Sequence, residues 1–259
     1  MNIAIILAGG TGKRMGAGVP KQFIEIDGKP LVAHTLEVFQ KCPLIDGILV
    51  VSDRGSVSRY DDVRDLYGIT KLLSVVCGGR DRARSSYNGV KEAKKLFEKN
   101  GSRFPAENIV LIHDAARPFV TESVIEENLR LVREHGACET VIPNNDTLVK
   151  GIDGFNAGSI SRENVFRVQT PQTFRFDVIT SAFDNYDFDC GDPVTDDAEL
   201  VRRNGGKVAL AKGSPLNVKI TSPEDLDFFR IDRSLKRPED RPADRLRANT
   251  REANAESLF

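Results

Sequence analysis

A glycine-rich segment close to several cations is the first feature of the sequence that could bind a phosphorylated ligand. Residues 7–16 read LAGGTGKRMG, and their glycines come directly after the strand-like run Asn2–Ala8. Glycine lets the backbone approach a ligand closely, and successive free N–H groups can bind phosphate oxygens. Arg14 and Lys21 add positive charge in the same region. The segment therefore predicts a phosphate site, the alternative being a glycine turn with solvated basic residues.

Two standard phosphate-binding motifs do not fit this segment. The dinucleotide fingerprint needs a small third residue where the chain has Met15, which argues against a hydride-transferring enzyme. A Walker A loop would need glycine where the chain has Leu7, and Ser or Thr where it has Arg14. We therefore exclude a P-loop.

Two further charged residues are predicted to lie at the ligand-binding edge of the sheet. Asp114 follows the apolar run Asn108–His113, and a carboxylate there offers the hard oxygen that Mg²⁺ prefers; the alternative is helix capping. Lys219 lies in a predicted strand, Asn217–Thr221, and points away from its apolar neighbours; the alternative is an edge-strand lysine that blocks aggregation. No two histidines have metal-ligand spacing, which argues against zinc.

The pattern of apolar runs predicts a doubly wound α/β fold, a Rossmann-like, mostly parallel twisted sheet with helices on both faces. Short runs rich in β-branched residues predict buried strands at Asn2–Ala8, Gly47–Ser52, Leu72–Cys77, Asn108–His113 and Ala137–Ile142. Helical spacing alternates with them, at Pro30–Cys42, Ala83–Glu98, Glu122–His135, Phe176–Tyr186 and Asp196–Asn204. The sequence Ser222-Pro-Glu-Asp is typical of a capping box.

One domain, residues 1–235, is predicted, with a protruding arm and a tail. Residues 144–163 are polar, are interrupted by glycines and contain short alternating pieces, which predicts an antiparallel β arm. Residues 236–259 are charged with few large apolar side chains, which predicts a disordered tail.

Composition narrows the possible partners and location. The chain has 37 Lys and Arg against 38 Asp and Glu, so no overall positive field would hold a nucleic acid. Its four cysteines form no Cys-x-x-Cys pair, which favours a reducing, cytoplasmic setting. No apolar stretch approaches membrane-spanning length, so we expect no membrane association.

Six motifs, in order along residues 1–230, resemble those of one enzyme group. They are Ala8-Gly-Gly-Thr-Gly-Lys-Arg-Met15 with Pro20-Lys21-Gln22-Phe23, Gly78-Gly-Arg-Asp-Arg82 with Ser85, His113-Asp-Ala-Ala-Arg-Pro118, Thr170-Pro-Gln172, Thr195-Asp-Asp-Ala198 and Asn217-Val-Lys-Ile-Thr221. The chain is similar to the 2-C-methyl-D-erythritol 4-phosphate cytidylyltransferases and to their relatives, the ribitol 5-phosphate cytidylyltransferases.

The resemblance implies CTP and Mg²⁺, a small polyol phosphate as acceptor, and a homodimer in which each arm reaches the other subunit's site. It implies that Arg14 and Lys21 neutralise the triphosphate, that Lys219 contacts a reacting phosphate, and that Asp114 binds the metal. Nucleotide-binding positions would be Ala8, Gly9, Gly10, Thr11, Gly12, Gly79 and Ser85. Acceptor-binding positions would be Thr147, Arg162, Thr170, Thr195 and Arg117, the last having a purely structural guanidinium as an equal alternative.

Some details of the sequence resemble the ribitol branch and others resemble the erythritol branch. Gly9, where the erythritol branch commonly has Ala, looks more like the ribitol branch, and Asn145 stands where the erythritol branch usually has a cation. The sequences that begin at Asp114, Thr195 and Ser222 look more like the erythritol branch, and methylerythritol phosphate is the predicted acceptor, with ribitol phosphate as the alternative. An NAD-dependent oxidoreductase and a non-catalytic nucleotide-binding scaffold are the alternatives from other classes.

Overall fold

The computed structural model describes residues 1–10, 20–101, 107–189, 191, 193–222 and 224–226. Their strands are β1 (Asn2–Ala8), β2 (Glu25–Ile26), β3 (Lys29–Pro30), β4 (Gly47–Ser52), β5 (Leu72–Cys77), β6 (Ile109–Asp114), β7 (Ala137–Pro143), β8 (Leu148–Ile152), β9 (Phe155–Ile160), β10 (Phe166–Arg175) and β11 (Ala209–Lys212). Their α-helices are α1 (Leu31–Lys41), α2 (Arg59–Tyr67), α3 (Arg82–Lys99), α4 (Glu122–His135), α5 (Phe176–Asp184) and α6 (Asp197–Arg203).

The main sheet is mixed but mostly parallel, as predicted. Within the described residues it has seven strands in the order β11-β7-β10-β6-β1-β4-β5. Only β10 among these strands runs antiparallel to its neighbours, β6 and β7. The carboxyl ends of β1, β4, β5 and β6 therefore meet at one edge, with Ala8 opposite Ser52, Ser52 opposite Cys77 and Leu7 opposite Asp114.

Helices cover both faces because the central strands are apolar on both sides. Along β1, Ala4 and Ile6 pack with α1, α2 and α4, whereas Ile3 and Ile5 pack with α3, α5 and α6. Successive strand residues point to opposite faces, so one continuous apolar run supplies both halves of the core. This explains why β1 and β4 begin and end where the sequence predicted.

Several elements differ from the sequence prediction. The prediction missed β10, in which polar side chains and Pro171 lie at a register shift between Val168 and Gln172. It also missed α2, which buries only Tyr60 and Val63, and the short strand β11. The prediction of a strand at Asn217–Thr221 is wrong, because this segment is irregular. It is joined to the loop after β6 by the hydrogen bond from Ile220 N–H to Ala116 O, 2.8 Å.

The predicted arm is an antiparallel hairpin. β8 and β9 pair with each other and form a separate two-stranded sheet. Asp153 and Gly154 connect them with φ angles of 51° and 84°, the left-handed conformations that tight hairpin turns need. Apolar side chains on the hairpin are exposed, among them Ile152 and Phe155 at 60% and 77%. The arm therefore presents an apolar surface away from the core.

The predicted capping box forms between Ser222 and Asp225. Ser222 N–H donates to Asp225 Oδ2 over 2.9 Å, and Asp225 N–H donates to Ser222 Oγ over 3.4 Å. The tail at 236–259 lies outside the described residues. No helix among those that are described combines the length and the apolar character of a membrane span.

Candidate active site

A cleft of about 560 Å³ opens at the edge where the carboxyl ends of the parallel strands meet. The turns that follow β1, β4, β5 and β6 contribute to its walls, as expected for an open α/β sheet. It is lined by Leu7, Ala8, Gly9, Gly10, Lys21, Gln22, Ser52, Asp53, Arg54, Gly78, Gly79, Arg80, Asp81, Arg82, Ser85, Asp114, Ala115, Ala116 and Lys219.

The glycine segment and Lys21 form one wall. Lys21 Nζ donates to the backbone oxygen of Ile220 over 3.5 Å, which brings it beside Lys219. A Cβ on Gly10 would lie 3.4 Å from Lys21 Cε, so the lysine stem passes closely over the glycine backbone. Ala8 and Gly9 complete this wall. Thr11, Gly12 and Arg14 lie outside the described residues.

Contacts that the sequence did not reveal fix the position of Lys21. The next residue, Gln22, is buried, and its Nε2 donates to Asp53 Oδ2 over 3.4 Å. Phe23 packs against Tyr60, and Arg59 Cζ lies 3.7 Å from the centroid of the Phe23 ring. These contacts join the Lys21–Phe23 turn to β4 and α2, so they limit the positions that Lys21 can take.

Asp114 and Lys219 form an ion pair at the base of the cleft. Lys219 Nζ lies 2.9 Å from Asp114 Oδ2, and Arg117 Nε lies 3.5 Å from the same oxygen. Burial raises the pKa of Asp114, but Lys219, Arg82 and Arg117 together outweigh it and lower the pKa to about 2. The carboxylate is therefore ionised at neutral pH.

The backbone around Lys219 is held by Arg117 and Asn217. Arg117 Nη1 donates to Asn217 O over 2.8 Å, and Asn217 Nδ2 donates to Thr170 O over 2.9 Å. Thr170 Oγ1 accepts from Asp114 N–H over 3.1 Å. Thr170 is buried beneath the cleft, so it contacts the site through Asp114. Arg117 therefore makes the backbone contact expected of a purely structural guanidinium, and it also lies beside Asp114.

The turn after β5 requires glycine for steric reasons. Gly79 N–H donates to Ser85 Oγ over 3.0 Å, and Ser85 Oγ donates to Asp81 O over 2.8 Å. A Cβ on Gly79 would lie 2.3 Å from Arg84 Cβ. Asp81 caps α3 by accepting from Arg84 N–H over 2.7 Å. Gly79 and Ser85 thus form one hydrogen-bonded corner of the cleft.

Three of the predicted acceptor-binding residues are exposed and are not among the residues that line the cleft. Thr147 and Arg162 are exposed beside the arm, where Arg162 Nη1 donates to Asn145 O over 2.8 Å. Thr195 is exposed just before α6. The sequence prediction omitted two residues that the structure pairs near the cleft: Arg82 Nη2 lies 3.0 Å from Asp197 Oδ2. Asp197 belonged to a recognised motif, but nothing in the sequence indicated its partner.

The donor set fits Mg²⁺ bound mainly through a substrate. No group of three or more His, Cys, Asp or Glu side chains suited to a metal occurs in the described part of the chain. Mg²⁺ commonly uses one or two carboxylates together with substrate phosphates and water. Asp114, an ionised carboxylate that lies beside cationic side chains in the cleft, meets this requirement.

Comparisons with known proteins agree on one family. The family model described as 2-C-methyl-D-erythritol 4-phosphate cytidylyltransferase (IspD) matches residues 2–231. The enzyme of that name from Clostridium acetobutylicum is 40% identical over 228 residues, which cover 87% of this chain and 94% of the relative. The Geobacter metallireducens enzyme is 40% identical over 227 residues, which cover 86% of this chain and 93% of the relative.

A solved structure supports the same assignment. The 4-diphosphocytidyl-2C-methyl-D-erythritol synthase of Anaerococcus prevotii superposes with a TM-score of 0.74 at 27% identity, over 92% of this chain and 96% of that chain. The sequence match and the similar fold each extend over most of both proteins. The chain belongs to the 2-C-methyl-D-erythritol 4-phosphate cytidylyltransferase family.

Proposed function

We propose that this protein transfers CMP from CTP to 2-C-methyl-D-erythritol 4-phosphate and releases pyrophosphate. A phosphate oxygen of the acceptor forms a bond to the α-phosphorus of CTP, and the bond from that phosphorus to the pyrophosphate oxygen breaks. The observation that carries the proposal is the convergence of Lys21, Lys219 and Asp114 on one cleft beside the glycine turn. Family membership supports the same reaction, which belongs to isoprenoid biosynthesis.

Electrostatic repulsion is the main barrier, because a phosphate dianion must approach a triphosphate. Lys21 and Lys219 would neutralise charge on the reacting phosphates, and Arg14 stays a prediction for the same role. The acceptor phosphate has a second pKa of about 6 and is already ionised near neutral pH. The reaction therefore needs neither a general base nor a covalent nucleophile.

Asp114 is the residue that would hold Mg²⁺. Bound Mg²⁺ would neutralise triphosphate charge and orient the phosphates. Lys219 and Arg117 lie beside Asp114 and keep its carboxylate ionised, so the protein presents an anionic ligand within a cationic cleft. This arrangement supports a metal shared between Asp114 and the nucleotide.

The remaining positions divide between the two substrates. The nucleotide would be bound by the backbone at Ala8, Gly9, Gly10, Thr11 and Gly12. The corner formed by Gly79 and Ser85 would bind it as well. Thr170, Thr195 and Arg117 are proposed for the acceptor side, where Thr170 acts through Asp114. Thr147 and Arg162 would contact the acceptor of a partner subunit across a homodimer formed through the arm.

The two departures from the erythritol pattern do not conflict with this acceptor. A Cβ on Gly9 would have no heavy atom within 4 Å, so the site accommodates either glycine or alanine there. At position 145, Arg162 is held by the backbone oxygen, which any residue provides. The family assignment favours methylerythritol phosphate over ribitol phosphate and argues against an NAD-dependent oxidoreductase.

Pyrophosphate release tests the proposal. The purified protein with CTP and Mg²⁺ should release pyrophosphate with 2-C-methyl-D-erythritol 4-phosphate and much less with ribitol 5-phosphate. Preference for ribitol 5-phosphate would reverse the acceptor assignment. CTP binding without release on either acceptor would support a non-catalytic scaffold.

The Gly79 corner gives a prediction for nucleotide affinity. Because Gly79 has no side chain, Arg84 packs closely against it. An added Cβ would overpack this corner, at a cost of about 1–3 kcal/mol. We expect Gly79→Ala to weaken CTP binding, measured by titration calorimetry, by about 10- to 100-fold. Gly9→Ala is the matched control in the same cleft and should bind CTP like the wild type. Equal effects of the two substitutions would contradict the steric explanation.

The pH dependence of kcat/KM should follow the second ionisation of the acceptor phosphate. The pKa of Asp114 is lowered from 3.8 to about 2, so any stability that its carboxylate adds is present above about pH 4 and is lost as the pH falls through about 2. Burial lowers the pKa of His113 to about 4, so this residue is neutral from pH 5 to 8. At saturating CTP, kcat/KM for the acceptor should fall about tenfold per pH unit below about 6. A flat profile down to pH 5 would contradict this interpretation.

The exposed arm gives a prediction for assembly. Ile152 and Phe155 pair with each other across the hairpin and are largely exposed. Replacing both by aspartate should convert a dimer to a monomer in light scattering, because charges would replace apolar contact area. We expect KM for the acceptor to rise by about tenfold or more with little change in CTP affinity. Lys150→Ala, an exposed polar position on the same arm, should leave the dimer intact.

A further inference from the structure

An ion pair with a buried carboxylate joins a residue that lines the cleft to helix α6, and no substrate role accounts for either residue. Arg82 Nη2 lies 3.0 Å from Asp197 Oδ2, and the two side chains are 32% and 1% exposed. Arg82 is the first residue of α3 and lines the cleft. Asp197 is the first residue of α6. The pair therefore connects the helix next to the Gly79 corner with the segment that contains Thr195.

Three elements of the fold meet at Asp197. Its backbone N–H donates to Oε1 of Gln172 on β10 over 3.1 Å. Burial raises the pKa of the Asp197 carboxyl, and Ser86, a fully buried residue one turn after Arg82 on α3, offsets part of that rise. The preceding residue, Asp196, caps α6 by accepting from Glu199 N–H over 2.8 Å. The position of residues 195–197 thus depends on contacts with both α3 and β10.

Burying these charges is costly, and an apolar pair would hold two helices at least as well. Burial raises the pKa of Asp197, and Arg82 opposes this effect. Arg82 also lines the cleft that Asp114 and Lys219 line. A charged pair at this place therefore does more than fill space, because it orients a cation at the proposed substrate site.

The nucleotide side does not depend on this pair. The Gly79 corner is closed by Ser85 and Asp81, through hydrogen bonds that do not involve Asp197. Loss of the pair would release the segment before α6, whereas the Gly79 corner would keep its hydrogen bonds.

We propose that the Arg82–Asp197 pair is a positioning element that fixes the Thr195 segment against α3 and so determines affinity for the acceptor phosphate more than affinity for CTP. The proposal rests on the proposed function, because that function assigns Thr195 to the acceptor. Neither residue takes part in bond making or breaking.

Two single substitutions test the pair. Asp197→Asn leaves Arg82 without its counter-charge, and Arg82→Lys keeps the charge but loses the planar, two-pronged geometry. For Asp197→Asn we expect KM for methylerythritol phosphate to rise by about tenfold or more, with the CTP dissociation constant within about twofold of the wild type. Arg82→Lys should raise KM for the acceptor to a smaller extent and Arg82→Gln to the full extent, in both cases with little change in the CTP dissociation constant.

A double variant keeps the test valid if Asp197→Asn fails to fold. Arg82→Gln with Asp197→Asn replaces the ion pair by two neutral amides of similar shape, which removes the unpaired buried charge. It should fold, bind CTP normally and still show the raised KM for the acceptor. A double variant with normal KM for the acceptor would overturn the proposal.

Arg175→Lys supplies the matched control. Arg175 pairs with Asp177 over 2.8 Å at the opposite end of the sheet, where Arg175 is opposite Ile109 at the start of β6. This substitution should change neither KM. A wild-type protein that transfers no CMP to methylerythritol phosphate would overturn the proposed function. An active wild type in which Asp197→Asn weakens CTP and acceptor binding equally would overturn only the positioning role.

Discussion

Replacing Lys219 by alanine should lower kcat/KM for CMP transfer by about 100- to 1,000-fold, the usual loss when one preorganised charge-stabilising group is removed. Lys219 Nζ contacts Asp114 over 2.9 Å and lines the cleft. Its removal takes away a cation that would face the reacting phosphates and the main counter-charge of Asp114. Both effects make the approach of two anions more difficult.

Three measurements separate this effect from a loss of structure. Lys219 is about two-fifths exposed, and Arg82 and Arg117 still stabilise the Asp114 carboxylate without it, so chemical unfolding of Lys219→Ala should change little from the wild type. Lys219→Arg keeps the charge and should recover part of the activity. Lys212→Ala, at an exposed lysine on β11, should retain full activity. A Lys219→Ala protein within a few-fold of wild-type activity would show that the reaction does not use this cation.

The parallel core could be predicted because its residues have one dominant role. The strands β1 and β4 are buried on both faces, so their sequences are continuous apolar runs that end where polar residues follow. Helix α4 was predicted with correct bounds because its apolar spacing and its glycine stop agree. In these elements, local pattern and tertiary environment favour the same structure.

The prediction failed where tertiary contacts overrule the local pattern. The strand β10 buries the polar residues Thr170, Gln172 and Thr173, whose side chains form hydrogen bonds with His113, Glu139 and Asn128. Nothing near β10 in the sequence reveals these partners. The segment that contains Lys219 looks like a strand because Val218 and Ile220 flank the lysine. Its backbone instead bonds to the loop after β6.

The site shows the same division. Lys21, Asp114 and Lys219 were predicted from motifs, and the structure places all three on one cleft. The partners that hold them could not be predicted: Arg59 stacks on Phe23, and Asp197 pairs with Arg82. Such contacts join residues distant in sequence and depend on the completed fold. The charges of the site can therefore be predicted from sequence, whereas their support cannot.

Lys21→Ala should reduce kcat by about 100-fold or more while leaving the free energy of unfolding close to that of the wild type. The turn around it is held by Gln22 and Phe23, whose contacts with Asp53, Tyr60 and Arg59 do not involve the lysine ammonium. The variant should therefore fold normally and lose charge only at the cleft. Lys41→Ala, at a largely exposed lysine on α1, is the control and should keep full activity.

The double variant Lys21→Ala/Lys219→Ala shows whether the two lysines act on one transition state. Lys21 Nζ reaches the carbonyl of Ile220, the residue next to Lys219, so the two ammonium groups would face the same reacting phosphates. Residues that act as a unit are strongly non-additive. The loss in the double variant should therefore be smaller than the product of the two single losses. A loss equal to that product would mean that the lysines act independently, because separate sites contribute additively to the activation free energy.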